Sequence, residues 1–506
     1  MGLTNCSIHV VVAQTKVSKW PRGISYEIFV QSFSDSDGDG IGDIKGMTSK
    51  LDYLQDLGVE AVWLMPINPS PSYHKYDVTN YYSIHPDYGT MEDFKIFVAE
   101  AHRRNIKVVV DMVLNHCSNK HPWFQDAVNN PNSPYWEYFV WTHKDDPQVK
   151  TFVAKTEEDS RNRNRWNKVE GNDYLFYSYF GRHMPDLNFD SPKLREEVFK
   201  IGRYWLTEVG IDGFRLDAAR HIFPEERATE SQNWWVYFLN EMRKVKKDVY
   251  LVGEIWTSTD KVAPYLKGIP ALFNFDLASA IKKSINRASI DSIALLHQQI
   301  NSYYKTINPD FIDAIFLSNH DQNRVMSSFD GNIGKAKVAA AILFTLPGSP
   351  YIYYGEELGM LGKKPDEYIR EPFLWETKKL DKWRTHWMTP HYNTDSTLSP
   401  AGIQMKDKNS LYNYYKTLIA LRTNSKALTY GEIVPLSLGI EQVCAFERNF
   451  EDESLLILHN ASDKDLFIDI SERLKPFHRL TYKSAGDGIK KSKLMLPAFG
   501  LMILKK

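Results

Sequence analysis

The residues of this chain that could do chemistry are acids, histidines and an arginine, grouped in four short strings. Each string follows an apolar stretch and ends in side chains that can ionise. The strings are Asp111-Met-Val-Leu-Asn115-His116, Gly213-Phe-Arg215-Leu-Asp217, Gly253-Glu254-Ile-Trp256 and Ser318-Asn319-His320-Asp321. Paired carboxylates suit glycosyl transfer, because one protonates the leaving oxygen while another attacks the anomeric carbon.

Asp217, Glu254 and Asp321 are the expected catalytic residues. Arg215, two residues before Asp217 on the same strand face, would keep that carboxylate ionised, as a nucleophile requires. Glu254 would be the acid, because burial and neighbouring carboxylates would raise its pKa. Asp321 would bind sugar hydroxyls and help to distort the sugar ring.

The two histidines, His116 and His320, would donate hydrogen bonds to hydroxyls of the same sugar. Taken singly, each polar residue has a structural alternative, such as a helix cap, a hydrogen-bonded core histidine or a plain ion pair. Four such strings at one end of successive strands favour a common site, since buried charges destabilise a fold unless they are paired or functional. The sequence contains no GxSxG, HExxH, P-loop or GxGxxG pattern, so acyl transfer, zinc hydrolysis and nucleotide chemistry have no support.

The elements that must position these strings alternate between short strands and amphipathic helices from residue 25 to about 355. This alternation predicts an α/β fold with a parallel sheet, and eight strands would close a (β/α)8 TIM barrel with its site at the strands' C-terminal ends. An open, doubly wound sheet is the alternative. The predicted strands are Ser25–Phe33, Ala61–Pro66, Lys107–Val113, Gly213–Ala218, Tyr250–Ile255, Ala271–Phe275, Ala314–Ser318 and Ser349–Tyr354, and the first helices are Ile44–Leu57 and Met91–Arg104.

Two stretches break this alternation and predict further domains. Residues 117–184 lack clean periodicity and are interpreted as a domain B inserted after the third strand. Residues 425–506 predict a C-terminal antiparallel β-sandwich, domain C, which leaves residues 20–116 and 185–424 for the barrel, domain A. The predicted sandwich strands are Ile433–Leu438, Gln442–Arg448, Ser454–Asn460, Asp465–Ile470 and Leu494–Leu504.

The composition excludes several classes of partner. With 62 basic and 63 acidic residues among 506, the charge is balanced and gives no reason to expect a nucleic-acid partner. The longest apolar run, Val338–Leu346, is too short for a membrane span, and we expect a monomer. Residues 1–19 are interpreted as a clipped or degenerate export signal; with such a signal the protein would be secreted or periplasmic, and without one cytoplasmic.

Together, the four strings resemble conserved regions of the alpha-amylase family, glycoside hydrolase family 13. Asp111–His116 matches DxxxNH, Gly213–His221 matches GFRxDxxxH, Gly253–Trp256 matches GEIW and Phe316–Asp321 matches FLSNHD. Met184–Asn188 resembles the MPDLN signature of a subgroup between oligo-1,6-glucosidases and neopullulanases, whose members are mostly alpha-amylases. The resemblance implies an α-glucan substrate and a retaining mechanism through a covalent intermediate on Asp217.

The resemblance also implies which residues bind the glucan. Tyr76 would stack on the sugar in subsite −1, and Arg220 and His221 stand where amylases carry a Lys-His pair on the leaving-group side. Tyr73 replaces the aspartate with which exo-acting α-glucosidases grip a terminal sugar, which favours an endo-acting cleft. The expected substrate-binding residues are Tyr76, Asp77, His116, Arg215, Arg220, His221, His320 and Arg324.

The function predicted first is endo-hydrolysis of α-1,4 bonds in starch, glycogen or maltodextrins. A 4-α-glucanotransferase would use the same covalent intermediate with a sugar acceptor, and an α-glucosidase is disfavoured by Tyr73. A non-catalytic glucan-binding protein belongs to a different class, but it would lack at least one of the three carboxylates.

A metal site is predicted at Asp35-Ser-Asp37-Gly-Asp39-Gly-Ile41-Gly-Asp43, which spaces oxygen atoms every two residues around a glycine turn. Gly46 stands where an EF-hand has its twelfth-position Glu, so the string is not an EF-hand, and a solvated acidic turn is the alternative. The same string binds calcium in oligo-1,6-glucosidase-like relatives, so the resemblance implies Ca²⁺. The expected ligands are Asp35, Asp37, Asp39, the Ile41 carbonyl, Asp43 and, at a second site near domain B, Asn115.

Overall fold

Eight parallel strands close into a barrel in this computed structural model, which describes residues 20–147, 149, 165–484, 489, 490 and 493–506. Each strand pairs with its neighbours in the chain, and the first pairs with the eighth. The predicted TIM barrel is confirmed, and the open sheet is excluded. The strands are Ser25–Ile28, Ala61–Leu64, Lys107–Met112, Gly213–Leu216, Tyr250–Gly253, Ala271–Phe273, Ile312–Phe316 and Ser349–Tyr353.

Helices surround the barrel and bury one face against it. In Met91–Arg103, Thr90 and Asp93 form a capping box at the first turn, and Phe94 and Phe97 face the core. The other α-helices are Val30–Phe33, Ile44–Ser49, Leu51–Leu57, Pro122–Ala127, Pro192–Tyr204, Ala228–Arg243, Thr259–Val262, Phe275–Arg287, Ile293–Ile307, Val325–Ser328, Ile333–Thr345, Asp366–Ile369, Ala401–Gln404, Leu411–Thr423 and Lys426–Tyr430. Single 3₁₀ turns are Pro86–Tyr88, Trp136–Tyr138, Ala219–His221, Glu225–Arg227, Ala263–Lys267 and Glu356–Leu358, and Trp205–Val209 is a π turn.

Two early predictions need correction. The first strand ends at Ile28, because Val30–Phe33 forms a helical turn whose residues are all buried and therefore continue the apolar run. The predicted helix Ile44–Leu57 is two helices that meet at Lys50, which ends the first one at φ −102° and ψ 3°.

A small antiparallel sheet lies between the third and fourth barrel strands, where domain B was predicted. Its strands, in spatial order, are Trp141–His143, Tyr174–Tyr177 and Trp166–Lys168. The bridge His116↔Asp186 connects the chain just after the third barrel strand with the chain that leaves this region, and Phe139↔Leu187 connects that exit with the inserted region itself.

Two antiparallel sheets enclose a separate apolar core in the C-terminal region, which confirms the predicted sandwich. The predicted strand Leu494–Leu504 is wrong, since Lys493–Leu496 and Leu501–Lys505 lie in different sheets. The chain turns between them, and Phe499 adopts φ +48°. One sheet has the order Glu432–Leu436, Val443–Phe450, Glu453–Asn460, Leu501–Lys505 and Arg479–Lys483, and the other has the order Leu466–Asp469, Lys493–Leu496 and Ile489–Lys490.

Two buried arginines donate to carbonyls around the end of the barrel helix Ile333–Thr345, and one of them, Arg448, reaches it from the C-terminal region. Arg448 Nη2 donates to the carbonyls of Leu428 and Gly431 at 2.9 Å each, and its Nη1 donates to the carbonyl of Thr345. Arg422 donates to three carbonyls after the helix Ile333–Thr345 or at its end, including that of Gly348 at 2.6 Å. The hydrogen-bond partners of Arg422 are neutral carbonyls, which stabilise its charge less than carboxylates would. Burial therefore lowers the pKa of Arg422 to about 9.

Residues 1–19, to which the export-signal prediction applies, lie outside the described residues. Within the described residues, the helices are all too short or too polar to cross a bilayer.

Candidate active site

Arg215 lies at the centre of a buried group of three acids at the C-terminal ends of the barrel strands. Its Nη1 donates to Asp217 Oδ1 at 2.7 Å and to Asp111 Oδ1 at 2.9 Å, and its Nη2 donates to Glu254 Oε2 at 2.7 Å. The Arg215 side chain is 1% exposed, whereas those of Asp217 and Glu254 are 10% and 14% exposed. The two predicted reacting carboxylates therefore share one guanidinium and still face the open end of the barrel.

Asp321 belongs to a second group of side chains at the barrel mouth. Its Oδ2 lies 3.0 Å from His320 Nε2, and its Oδ1 accepts from Arg370 Nη2 at 2.9 Å. Arg370 also donates Nε–H to the His320 carbonyl at 3.0 Å. The Asp321 side chain is 31% exposed, so His320 and Arg370 hold it in place while it stays accessible to solvent.

The environments of the acids separate their protonation states. Burial raises the pKa of Glu254; the charge of Arg215 opposes this, while Asp217 and Asp321 add to it. Burial also acts on Asp321, but His320 and Arg370 outweigh it and hold the pKa of Asp321 well below its usual range. The pKa values of Glu254 and Asp321 are thus shifted in opposite directions, which suits a proton donor and an anion respectively.

Tyr76 links the two groups. Its hydroxyl donates to Asp111 Oδ2 at 3.1 Å and lies 2.6 Å from His320 Nε2, and its ring stacks on that of His320 at 5.5 Å. Asp77, also predicted to bind substrate, accepts from the hydroxyls of Ser70 and Ser72 and is 2% exposed. Asp77 therefore braces the loop that carries Tyr76.

His116 and His221 lie on the domain B side. His116 is 2% exposed, its ring lies 5.2 Å from that of Phe180, and burial lowers its pKa although Asp217 opposes the shift. His221 lies against Tyr179 at 4.0 Å between ring centroids, and burial followed by the charge of Arg220 lowers its pKa to about 4. Both rings are therefore neutral near pH 7 and can both donate to and accept from hydroxyl groups.

The two remaining arginines predicted to bind substrate have different surroundings. Arg220 Nη1 donates to the carbonyl of Trp256, two residues after Glu254, at 3.1 Å. Arg324 is 1% exposed, donates to the carbonyls of Ile369 and Tyr354, and contacts two tyrosine rings. These contacts make Arg324 a support for the loop before Arg370, and they do not favour its predicted contact with substrate.

Sequence reasoning assigned no role to two residues of the site, Arg370, which it placed only on a loop near the leaving-group side, and Glu27. Arg370 fixes Asp321, but 49 positions separate them and no motif connects them. Glu27 Oε1 lies 2.5 Å from His320 Nδ1 and is on the first strand, which carries none of the four strings. A charged residue at a buried strand position was the available signal for Glu27.

The predicted metal string brings Asp35, Asp37 and Asp39 together, with one oxygen of each within 4.8 Å of the others. Burial, followed by the charges of Asp37 and Asp35, raises the pKa of Asp39, as expected where acids converge without a cation. These three oxygens could hold a hard cation. Ile41 donates its N–H to Asp39 at 2.7 Å, and the ligand role of its carbonyl stays a prediction.

Asp43, predicted as a further ligand, is not one of the three converging acids. It accepts from Ser36 N–H at 2.6 Å and Gly46 N–H at 2.8 Å, and it caps the helix Ile44–Ser49. The structure therefore gives Asp43 a capping position.

Asn115 lies beside a buried acid at the junction with domain B. Its Nδ2 is 3.4 Å from Asp186 Oδ2, and burial raises the pKa of Asp186 to about 8 despite hydrogen bonds from Tyr179 N–H and Asn115. The Asn115 Oδ1 is buried without a hydrogen-bond partner among the described residues. An unpaired amide oxygen beside a carboxylate fits the predicted cation site.

The comparisons with known proteins agree with this geometry. The model of the alpha-amylase catalytic domain matches residues 27–431, and that of the alpha-amylase SusG C-terminal domain matches residues 443–503. Alpha-amylase 3 of Dictyoglomus thermophilum is 43% identical, with 96% of this chain and 93% of that protein covered. A 4-alpha-glucanotransferase of Thermotoga neapolitana is 34% identical, with 90% of this chain and 99% of that protein covered.

The solved structure of an alpha-amylase from H. orenii has a TM-score of 0.84 and 40% identity, with 96% of this chain and 99% of that chain covered. The catalytic-domain match spans most of the chain and includes all four strings. The chain therefore belongs to the alpha-amylase family, glycoside hydrolase family 13, and is a glycoside hydrolase.

Proposed function

We propose that this enzyme hydrolyses internal α-1,4 bonds of starch, glycogen or maltodextrins with retention of configuration. The observation that carries the proposal is the position of Asp217 and Glu254 at the two nitrogens of the Arg215 guanidinium, 2.7 Å from each. Two carboxyl groups that pair with the same guanidinium can act on one glycosidic bond, which suits double displacement by a nucleophile and an acid.

In this mechanism, Asp217 attacks the anomeric carbon while Glu254 donates its proton to the leaving glycosidic oxygen. Glu254 then removes a proton from the water molecule that hydrolyses the glycosyl-Asp217 intermediate. Asp321, fixed by His320 and Arg370, binds sugar hydroxyls and stabilises the distorted ring.

The endo mode is supported by Tyr73, which occupies the place of a terminal-sugar aspartate. Its hydroxyl accepts from Arg370 Nη1 at 3.3 Å, and its ring stacks on Trp387 at 5.3 Å. Burial, opposed by Arg370, raises the pKa of Tyr73 to about 12, so the group stays neutral. A neutral aromatic ring offers a surface for a continuing chain, whereas a carboxylate would grip the hydroxyls of a chain end.

The second candidate is a 4-α-glucanotransferase, favoured by the Thermotoga neapolitana relative. Both reactions form the same intermediate and differ in whether water or a sugar accepts the glycosyl group. The test is the product profile over time from soluble starch and, separately, from maltotriose. Mixed maltodextrins with accumulating reducing ends support endo-hydrolysis, size redistribution without new reducing ends supports the transferase, and glucose alone supports an α-glucosidase.

We also propose that Ca²⁺ binds to Asp35, Asp37 and Asp39, with a second ion at Asn115. Support comes from the three converging carboxylates and from the unpaired Asn115 oxygen. The ion at the acidic loop would neutralise the repulsion between these acids and hold the loop. The calcium-dependence of the melting temperature, described below, tests this proposal.

A further inference from the structure

Glu27 and His320 form a buried pair beneath the candidate site. Glu27 Oε1 lies 2.5 Å from His320 Nδ1, and the Glu27 and His320 side chains are 2% and 0% exposed. The other ring nitrogen, Nε2, lies 3.0 Å from Asp321 Oδ2 and 2.6 Å from the Tyr76 hydroxyl. Both nitrogens thus face carboxylate oxygens, and an imidazole that donates from both nitrogens must carry a positive charge.

This charge sets the direction of a chain of hydrogen bonds. When His320 Nε2 donates to the Tyr76 oxygen, the Tyr76 hydroxyl donates to Asp111 Oδ2 at 3.1 Å, and Arg215 holds Asp111 from the other side. A neutral His320 could instead accept from Tyr76 through Nε2, and Tyr76 would then no longer donate to Asp111. Asp321 would also lose one of the two cations beside it and keep only Arg370.

We infer that Glu27 is a positioning residue that keeps His320 charged and thereby orients both Asp321 and the Tyr76–Asp111 hydrogen bond. The inference rests on the proposed function, because it assigns Glu27 a part in the same reaction without contact with the sugar. Burial lowers the pKa of His320, but Asp321 and Glu27 outweigh it and raise the pKa to about 10. The ionisable groups that face His320 directly or through one neighbour are Glu27, Asp321, Tyr76, Asp111, Glu254, Arg215 and Arg370.

The test compares the wild type with Glu27→Gln, which keeps the shape of the side chain and removes its charge. Samples carry ¹⁵N-labelled histidine, and the His320 signals are assigned by their loss in His320→Asn. In the wild type at pH 8, we expect both His320 nitrogens to be protonated, and in Glu27→Gln we expect a neutral ring. Neutral His320 in the wild type would overturn the inference, and this result does not depend on whether the variant folds.

The kinetic readout is the pH profile of kcat/KM on soluble starch between pH 5 and 9. Glu27→Gln should acquire a new basic limb near pH 7, with about a tenfold loss for each further pH unit relative to the wild type, as one titrating histidine requires. KM should change less than kcat, because Glu27 does not contact substrate. A uniform loss at every pH, with the profile unchanged, would indicate a merely structural role and overturn the inference.

Glu356→Gln is the matched control. Glu356 is another buried glutamate below the barrel mouth, and burial raises its pKa to about 8, so it is already protonated at pH 7. Tyr415 contacts Oε1 and Ser318 contacts Oε2, and both partners are hydroxyl groups, so one can donate to the amide oxygen of Gln while the other accepts from its NH2 group. We expect an unchanged pH profile. If the wild type fails to cleave any glucan, the proposed function fails, while the NMR experiment still decides the state of His320.

Discussion

This enzyme has two groups of three carboxylates, and the groups differ in whether a basic side chain balances their negative charge. Asp111, Asp217 and Glu254 surround Arg215, whose side chain is 1% exposed. The second group, Asp35, Asp37 and Asp39, lies at a surface loop.

In the loop, backbone N–H groups of Gly38, Gly40 and Ile41 donate to the acids at 2.7 to 2.8 Å. No basic side chain replaces Arg215 in the described hydrogen bonds and ion pairs of these three acids. Acids that are largely buried are stabilised by a cation built into the chain, whereas acids at a surface loop can take their cation from solution.

The largest expected effect concerns the chemistry of the buried group. Glu254→Gln should retain the fold and lose at least about 10³-fold in kcat, since protonation of the leaving group alone contributes roughly 10²–10⁴. The measurement is release of reducing ends from soluble starch. Glu432→Gln, which changes an exposed glutamate paired with Lys305, should have wild-type turnover. Near-wild-type turnover of Glu254→Gln would refute the assignment of the acid.

The next largest effect tests the role of the Arg215 guanidinium as the cation of the buried acids. Arg215→Met should lower the free energy of unfolding by about 3–5 kcal/mol at pH 7, because it leaves buried carboxylates without their partner. Arg227→Met is the control, since Arg227 pairs with Asp190 and Glu230 at the surface and should contribute about 1 kcal/mol or less. Both are measured by urea unfolding. Equal losses in the two variants would show that the buried acids depend on Arg215 no more than surface acids depend on Arg227.

The third effect tests the proposed calcium ion at Asp35, Asp37 and Asp39. Removal of calcium with EDTA should lower the melting temperature, because an ion bound only by the native state stabilises it, by about 2.7 kcal/mol when free Ca²⁺ is 100 times Kd. Asp37→Asn should reduce this calcium-dependent shift, and Glu254→Gln should leave it intact. A melting curve that EDTA does not change, together with no bound metal by elemental analysis, would remove the calcium proposal.

The smallest effect concerns Asp43, which was predicted as a ligand but caps a helix. Asp43→Asn should keep the cap and the calcium-dependent shift, whereas Asp43→Ala should lose about 1 kcal/mol of stability. Thermal unfolding with and without calcium distinguishes the two roles. If Asp43→Asn removes the calcium-dependent shift, Asp43 is a ligand after all.

The barrel could be predicted because each of its strands is a short apolar run followed by a turn and a helical pattern. Errors arose where apolar runs continued for other reasons. The buried turn Val30–Phe33 extended the first strand, and the segment Leu494–Leu504 hid a change of sheet at Pro497 and Gly500. Pro497 and Gly500 are residues that commonly interrupt a strand, so the sequence did contain a signal for this break. The break between the two helices at Lys50 has no comparable signal in the sequence.

The predicted catalytic residues come together because the ends of parallel strands meet at one rim. Arg370 could not be placed in this way, since its position depends on a loop after the eighth strand and on the single contact that it makes with Asp321. Arg324 was also expected to bind substrate, but its side chain donates to backbone carbonyls of Ile369 and Tyr354, and contact with substrate stays a prediction.

The first family model ends at residue 431 and the second begins at residue 443, but hydrogen bonds of Arg448 cross this boundary. Its guanidinium reaches back to carbonyls of the helices Ile333–Thr345 and Lys426–Tyr430 and the adjoining Gly431. A truncation at the boundary would remove the donors that these carbonyls use and uncover the apolar surface around them. We therefore expect that exchanging the C-terminal domain alone between relatives would destabilise the protein. A stable chimaera would need Arg448 and the helix ends whose carbonyls accept its hydrogen bonds from the same parent.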